Sequence, residues 1–497
     1  MSSQYNPIRA NLISSSLLTG LSYYRGMLNQ NVSSTQYLFD DDIGHHVFGA
    51  CMSRKRFSYL LARLSFDDKT TRPERFRADR FAAVRQVFEI FNLNCSKHLG
   101  PPELLAIDET LYPCRTKIGI KQYNPSKPAR YGLLFQSLNA VKWPFTHSII
   151  VAAGKPPDGT GPFYVNTVSG KVKKLVNNCE RKVKLQGRNI STDRYYTGIE
   201  IAEWLLREKK VTMLGTLQKN RVGLPPQVVS LDNRETHSYE VFWEAQKGVM
   251  ELHSYAVINK SKGKKNVLLL STNSPYKGIT KGHPKNLPAA IQLYNFTKGG
   301  TDIVDQRMGR YSTKPKSNKW TRVVFSYLLD TARVNAQTIW SLNKKIRGGP
   351  RKSNSFEFGI DLAKALVLPY IEQRPTNGLQ IPIQVKMSMF LKRAVGRFTV
   401  QDLGAAAGDA PPGDAPPVQA GAGAVVANPK MALKPHVVAA RIRCTMCYEA
   451  LPRVGHKAAK DNVSKVNKCC VCCGEPACAD HTVYLCLKCS NLFVPKK

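Results

Sequence analysis

The chain has 497 residues, long enough for two to four domains with ample core, and 42% of them are hydrophobic, so most of it is expected to fold. Its 73 Lys and Arg against 35 Asp and Glu give a formal net charge of +38, an excess that opposes compaction unless a polyanion offsets it and that points to nucleic acid as partner. No apolar run reaches the ~18 residues of a membrane span, residues 11–18 are too short and polar for a secretory leader, and Ser2 and the ending Pro495-Lys-Lys497 carry no lipidation signal, so no membrane association is expected and the protein is expected to be intracellular.

Residues 1–103 read as helical, because 57–64 and 81–91 place apolar side chains at three- and four-residue spacings. From Leu104 the pattern changes to short apolar runs bounded by Pro and Gly, at 104–108, 132–138 and 148–153, as in buried strands. Another strand ends at Asp193, an amphipathic helix spans 198–209, and 211–217 reads as a further strand. Strands alternating with helices argue for an α/β core. Residues 218–287 are more polar, with Trp243, Tyr255 and a strand-like 266–271, and read as a β-rich insertion inside that core. After the Gly299-Gly300 break, Thr301 is the expected N-cap of a helix that Asp302 opens, with Asp305 one turn along the same face. An acidic pair there also suits the helix dipole. Residues 320–340 have good apolar periodicity and lie next to Lys314, Lys316, Lys319 and Arg322, which are either phosphate contacts or a solvated face. Residues 404–427, rich in Ala, Gly and Pro, read as a flexible linker.

Asp108 follows an apolar strand, Asp193 ends another, and Asp302 and Asp305 start a helix. Carboxylates at several element ends are what a two-metal site requires: they hold two Mg²⁺ ions that activate an attacking oxygen and stabilise the departing one of a phosphodiester. Separations of this length fix no geometry, and an Asp near a strand end is equally a structural residue.

Nine of the 13 cysteines lie from Cys444 onward. Clustering in one tail of a large chain favours metal over disulfides. Cys444, Cys447, Cys470, Cys473, Cys478, His481, Cys486 and Cys489 supply the eight ligands of two tetrahedral Zn²⁺ ions, at the short spacings of structural zinc sites. Cys469 and Cys472 offer an alternative register, and His456 is a spare. Such a module could be a ubiquitin-ligase-type RING, a histone-tail reader or a DNA-binding unit.

Several separate motifs resemble the piggyBac family of transposases, in order: Met52-Ser-Arg-Lys-Arg-Phe57, Ile107-Asp-Glu, Tyr123-Asn-Pro-Ser-Lys-Pro-Ala-Arg-Tyr-Gly132, Asp193-Arg-Tyr-Tyr-Thr197, Leu214-Gly-Thr-Leu-Gln-Lys-Asn220 and Tyr294-Asn-Phe-Thr-Lys-Gly-Gly-Thr-Asp-Ile-Val-Asp-Gln306. The resemblance implies an α/β, RNase H-like catalytic core (104–217 and 288–311) interrupted by the insertion (218–287). Helical dimerisation and DNA-binding regions (1–103 and 312–400) would flank it, followed by a linker (401–435) and a zinc-binding domain (436–497) that contacts transposon-end DNA. It implies that Asp108, Asp193 and Asp302 hold Mg²⁺, that Asp305 is a fourth required carboxylate, and that the chain acts as a homodimer or higher assembly in the nucleus. The implied activity is cut-and-paste transposition through a hairpin intermediate into TTAA target sites. Arg194 stands where the family usually has Asn, and Pro113-Cys114 where it usually has Gly-Phe. The family's acidic N-terminal extension is not in this sequence, so the chain is expected to be naturally short or incomplete. A domesticated DNA-binding protein that no longer transposes is the alternative.

Overall fold

The computed structural model describes residues 7–221, 223–244, 249–259, 263–273, 287–346 and 354–394, and the backbone of four short strands beyond residue 435. The chain opens with helices α1 (Pro7–Met27), α2 (Thr35–Leu38), α3 (His46–Cys51), α4 (Arg54–Arg63), α5 (Arg72–Ala78) and α6 (Ala82–Lys97). Strands β1 (Leu104–Pro113), β2 (Gln122–Tyr123), β3 (Tyr131–Ala140) and β4 (Thr146–Val151) follow, then α7 (Val168–Glu180), β5 (Asn189–Thr192), α8 (Ile199–Lys209) and β6 (Thr212–Thr216). Next come α9 (Pro226–Val229), β7 (Tyr239–Trp243), β8 (Glu251–Asn259) and β9 (Gly263–Ser271). Helices α10 (Ala289–Thr297), α11 (Gly300–Arg310), α12 (Trp320–Ile346), α13 (Ser355–Gln373) and α14 (Ile381–Ala394) complete this unit. No helix among the described residues is long and apolar enough to cross a membrane.

The fold is mixed α/β. One nine-stranded sheet runs β2-β3-β1-β5-β6-β9-β8-β7, with β4 paired to β3. β1 is antiparallel to β3 and β3 to β4, whereas β1, β5 and β6 are mutually parallel neighbours. Parallel strands are stable when both faces are covered, and β5 is buried along its whole length. Against one side, Leu105, Ile107, Ile190 and Met213 pack with Val172 and Leu175 of α7 and Leu205 of α8. A second cluster joins Phe135 of β3 to Phe88 of α6, Val304 and Met308 of α11 and Tyr327 of α12, where the Phe135 and Tyr327 rings stack 3.9 Å apart. The helices before and after the sheet share a separate core, in which Leu21, Phe48, Val367 and Phe390 are buried.

The described residues of 218–287 continue the core sheet. They are β-rich as read, but β9 pairs with β6 through Leu214↔Ser271 and Thr216↔Leu269, so β7, β8 and β9 prolong the main sheet. Pairing between strands so far apart in sequence leaves no local pattern to read.

Residues 410–497 form a second compact unit, in which β10 (His436–Arg443) pairs antiparallel with β11 (Lys465–Cys469), and β12 (Thr482–Val483) with β13 (Leu485–Cys486). Of the expected zinc ligands, Cys444, Cys447, Cys470, Cys473, Cys478, His481 and Cys489 lie outside the described residues, and Cys486 is described as backbone only.

Candidate active site

The parallel pairing of β1 with β5 ends at Ile107↔Thr192. The next residue on each strand is Asp108 and Asp193, so register alone sets abreast two carboxylates that are far apart in sequence. Beyond β5 the chain turns on Asp193, whose Oδ1 accepts the backbone N–H groups of Tyr195 (2.9 Å) and Tyr196 (3.2 Å), an Asx turn. The Thr197 hydroxyl closes this turn by donating to the Asp193 carbonyl at 2.7 Å, and it lies 2.8 Å from the Thr192 hydroxyl. Gly215 of β6 pairs with Thr192, and a Cβ there would stand 2.1 Å from Thr197 Oγ1 and 2.5 Å from Thr192 Oγ1. Only glycine leaves room for the hydroxyl pair that shapes the Asp193 turn.

Asp108, Glu109 and Asp193 each offer a carboxylate oxygen within 4.8 Å of the others. Glu109 was missed as a site residue, because successive strand side chains alternate faces. It reaches Asp193 where β5 has ended and, among the described residues, no strand pairs with that edge of β1. Burial pushes the Asp108 carboxyl up to about 7, against the 2.8 Å hydrogen bond from the Glu109 N–H, and the Glu109 charge raises it further. Burial likewise raises Asp193, against its two turn hydrogen bonds and the charge of exposed Arg194. Three carboxylates this close, with Asp108 and Asp193 raised by burial, are the hard donor set that a divalent cation satisfies. Lys127, a second residue not singled out from the sequence, donates to the Glu109 carbonyl at 3.2 Å and lies 3.6 Å from its carboxylate.

Ala106, Asp108 and Thr110 fall on one face of β1, and α11 covers it. A Cβ on Gly300 would meet Ala106 Cβ at 3.2 Å and the Ala140 carbonyl oxygen at 3.4 Å, so the second glycine of the pair lets the helix start lie close on the sheet. Thr301 is not the N-cap expected from the sequence: the helix starts at Gly300 with Gly299 as N-cap, and Thr301 is buried, accepting a 2.8 Å hydrogen bond from Asn139 of β3. Packing against the sheet decides that position over its local capping preference. Asp305 accepts a 2.7 Å hydrogen bond from the Thr110 hydroxyl, and burial pushes its carboxyl up to about 7. Asp302 lies one turn earlier in α11 and is exposed; its charge raises Asp305 further. Asp302 is not one of the three whose oxygens come within 4.8 Å of one another. Helix α11 thus brings Asp305 to β1, and the three-carboxylate group forms without it.

The expected DNA contacts are placed unequally. Lys316 is exposed, whereas Lys314 donates to the Pro113 carbonyl at 3.3 Å and Lys319 to the Ala62 carbonyl at 2.5 Å. Burial lowers both Lys314 and Arg322.

The Transposase IS4 family pattern matches residues 19–337, well over half of the chain. Among curated human proteins, the chain is 24% identical to PiggyBac transposable element-derived protein 2 over 314 residues, which cover 61% of this chain and 50% of that one. It is 21% identical to PiggyBac transposable element-derived protein 3 over the same shares, so the match spans about half the length of these relatives. A solved piggyBac transposase synaptic complex with hairpin DNA aligns over 96% of this chain and 88% of its own, with a TM-score of 0.67 at 24% identity, a likeness of fold. A family match of this extent, with the aspartates set by strand register and helix packing, places the chain in the Transposase IS4 family, and within it among the piggyBac-like transposases whose motifs it carries.

Proposed function

We propose that this chain is a cut-and-paste DNA transposase that cleaves transposon ends through a hairpin intermediate and joins them to TTAA sites. The observation that carries this reading is the meeting of Asp108, Glu109 and Asp193 within 4.8 Å where the parallel pairing of β1 with β5 ends, in a chain of net charge +38. The order β4-β3-β1-β5-β6, with an antiparallel and a parallel half meeting at β1, supports an RNase H-like core. Asp108 and Asp193, with Asp302 from α11, would hold two Mg²⁺ ions, and Glu109 lies close enough to join them. Bound Mg²⁺ supplies charge neutralisation at the attacking and departing oxygens of the phosphodiester. The protein's own contribution is to fix those carboxylates by strand register and the Asx turn, and to anchor Asp305 through Thr110.

The likeness to a transposase synaptic complex with hairpin DNA supports DNA as partner and a multimeric assembly, here read as a homodimer or higher assembly acting in the nucleus. Zn²⁺ in the second unit, and DNA contact through that unit and around Lys314–Arg322, belong to the same reading. In the test, Asp108→Asn and Asp193→Asn are each incubated with labelled transposon-end DNA and Mg²⁺. Both should lose nicking and hairpin formation while end binding persists; full cleavage by either variant would refute the assignment. That the human relatives are transposable element-derived proteins favours a second reading as a domesticated DNA-binding protein. It predicts end binding without nicks from the unmodified chain.

A further inference from the structure

A cavity of about 600 Å³ opens between the β2–β3 hairpin and the segment before α12, lined among others by Arg115, Arg130, Tyr131, Lys314 and Lys316. That volume suits a small organic ligand rather than a solvent void. Its described lining holds no acidic side chain. Arg115, Arg130 and Lys316 are exposed, and among the described residues they form no ion pair. Like charges gathered on one wall without counter-charge favour an anion between them. Beside them stands an aromatic pair: Tyr123 and Tyr131, register partners across the hairpin, remain 56% and 52% exposed with ring centroids 4.8 Å apart. Two large exposed aromatic rings, braced by each other at the edge of a cationic cavity, are a stacking platform. The hairpin also touches the carboxylates, since Lys127, three residues before Arg130, bonds to Glu109. At no more than ~3.6 Å of chain per residue, the Cα of Arg130 lies within about 11 Å of the Cα of Lys127.

We propose that this cavity receives one unpaired nucleotide of the bound DNA, its phosphate against Arg115, Arg130 and Lys316 and its base stacked on Tyr131. Duplex DNA presents no free base face, so the exposed rings select a nucleotide out of the stack, whereas the cations alone would serve any duplex. The inference rests on the reading of the chain as a DNA-processing enzyme and names the part of the substrate that this hairpin holds.

The experiment uses the full chain in EDTA, so that no cleavage occurs. It compares a blunt duplex with the same duplex carrying a short single-stranded tail that contains 2-aminopurine. The unmodified protein should bind the tailed DNA more tightly and quench the 2-aminopurine. Tyr131→Ala should lose the quench and about tenfold of the tailed-DNA affinity, with blunt-duplex affinity unchanged, and Tyr131→Phe should keep both. Arg130→Ala should lower the slope of log affinity against log salt by about one on tailed DNA. Quench and affinity untouched by Tyr131→Ala, or an equal loss on blunt and tailed DNA, would overturn the proposal. The quench is read without metal or chemistry, so it survives or fails independently of the Asp108 and Asp193 cleavage test.

Discussion

Thr110 carries a single hydroxyl, yet it ties α11 to β1. Its 2.7 Å hydrogen bond to Asp305 lowers a carboxyl that burial has raised to about 7, and so favours the ionised form at neutral pH. Thr110→Val should therefore raise the Asp305 carboxyl and move the acid limb of the pH–cleavage profile upward. Cleavage at neutral pH should drop by about tenfold, the scale of lost support behind a metal site, and Thr110→Ser should restore it. A profile that does not move would show that Asp305 needs no such tuning. His147 of β4 makes the opposite case, a titratable group with no part in the site. It is fully buried, neither ring nitrogen has a partner, and burial lowers its pKa to about 3. The unfolded chain takes up a proton on this ring below about 6.5 and the folded chain does not until about 3, so stability is lost as pH falls through that window. Between pH 7.5 and 5 this amounts to about 2 kcal/mol. His147→Leu should remove that part of the difference when denaturant unfolding is measured at the two pH values; an unchanged difference would contradict the burial account.

At the scale of elements, the site is a matter of register. β1 and β5 set Asp108 beside Asp193, and the Gly215 gap in β6 keeps the Asp193 turn in shape. Gly215→Ala would push a methyl into the Thr192 and Thr197 hydroxyls. It should cost about 1–3 kcal/mol of stability, as overpacking does, and reduce cleavage beyond what the lost stability explains. Thr197→Ala in the same background should recover part of the stability, and additive losses in the double variant would count against a steric origin. This register explains which parts of the site were readable in advance. The apolar run before Asp108 and the strand before Asp193 marked both residues, although Asp108 lies in the middle of β1 and not at its end; the helix start after Gly299-Gly300 marked Asp302 and Asp305, and the motif resemblance gave them roles. Glu109 was hidden, because strand alternation alone assigns Asp108 and Glu109 to opposite faces, whereas beyond the end of the β5 pairing their carboxylate oxygens and that of Asp193 lie within 4.8 Å of one another. Lys127 was hidden because its role depends on a hairpin folding back over Glu109. The Thr301 expectation followed local capping chemistry, which the packing of Gly300 on Ala106 and Ala140 overrides. What could be read was local periodicity and chain order; what could not was contact between distant segments.

Over the whole molecule, an excess of 38 positive charges is spread along a chain whose sheet and helices fold as one unit before residue 410. The cysteine-rich tail, about 54 residues from Cys444 onward, offers little apolar core of its own, so on the zinc reading its order should depend on metal. The purified full chain should carry about two zinc ions per molecule, and chelation should abolish the structure of residues 436–497 while the main melting transition stays in place. A chain free of zinc with an intact tail would exclude the zinc reading. The insertion has a different bearing on the whole. Without β9 to pair with it, β6 would end the sheet as a bare row of backbone donors and acceptors, open to any passing strand. By continuing the sheet outward to β7, residues 218–287 move that raw margin several strands away from Asp193. A shortened chain lacking them is therefore expected to self-associate through β6, so the insertion sets the open margin of a strongly basic protein's sheet apart from the strands that carry its clustered carboxylates.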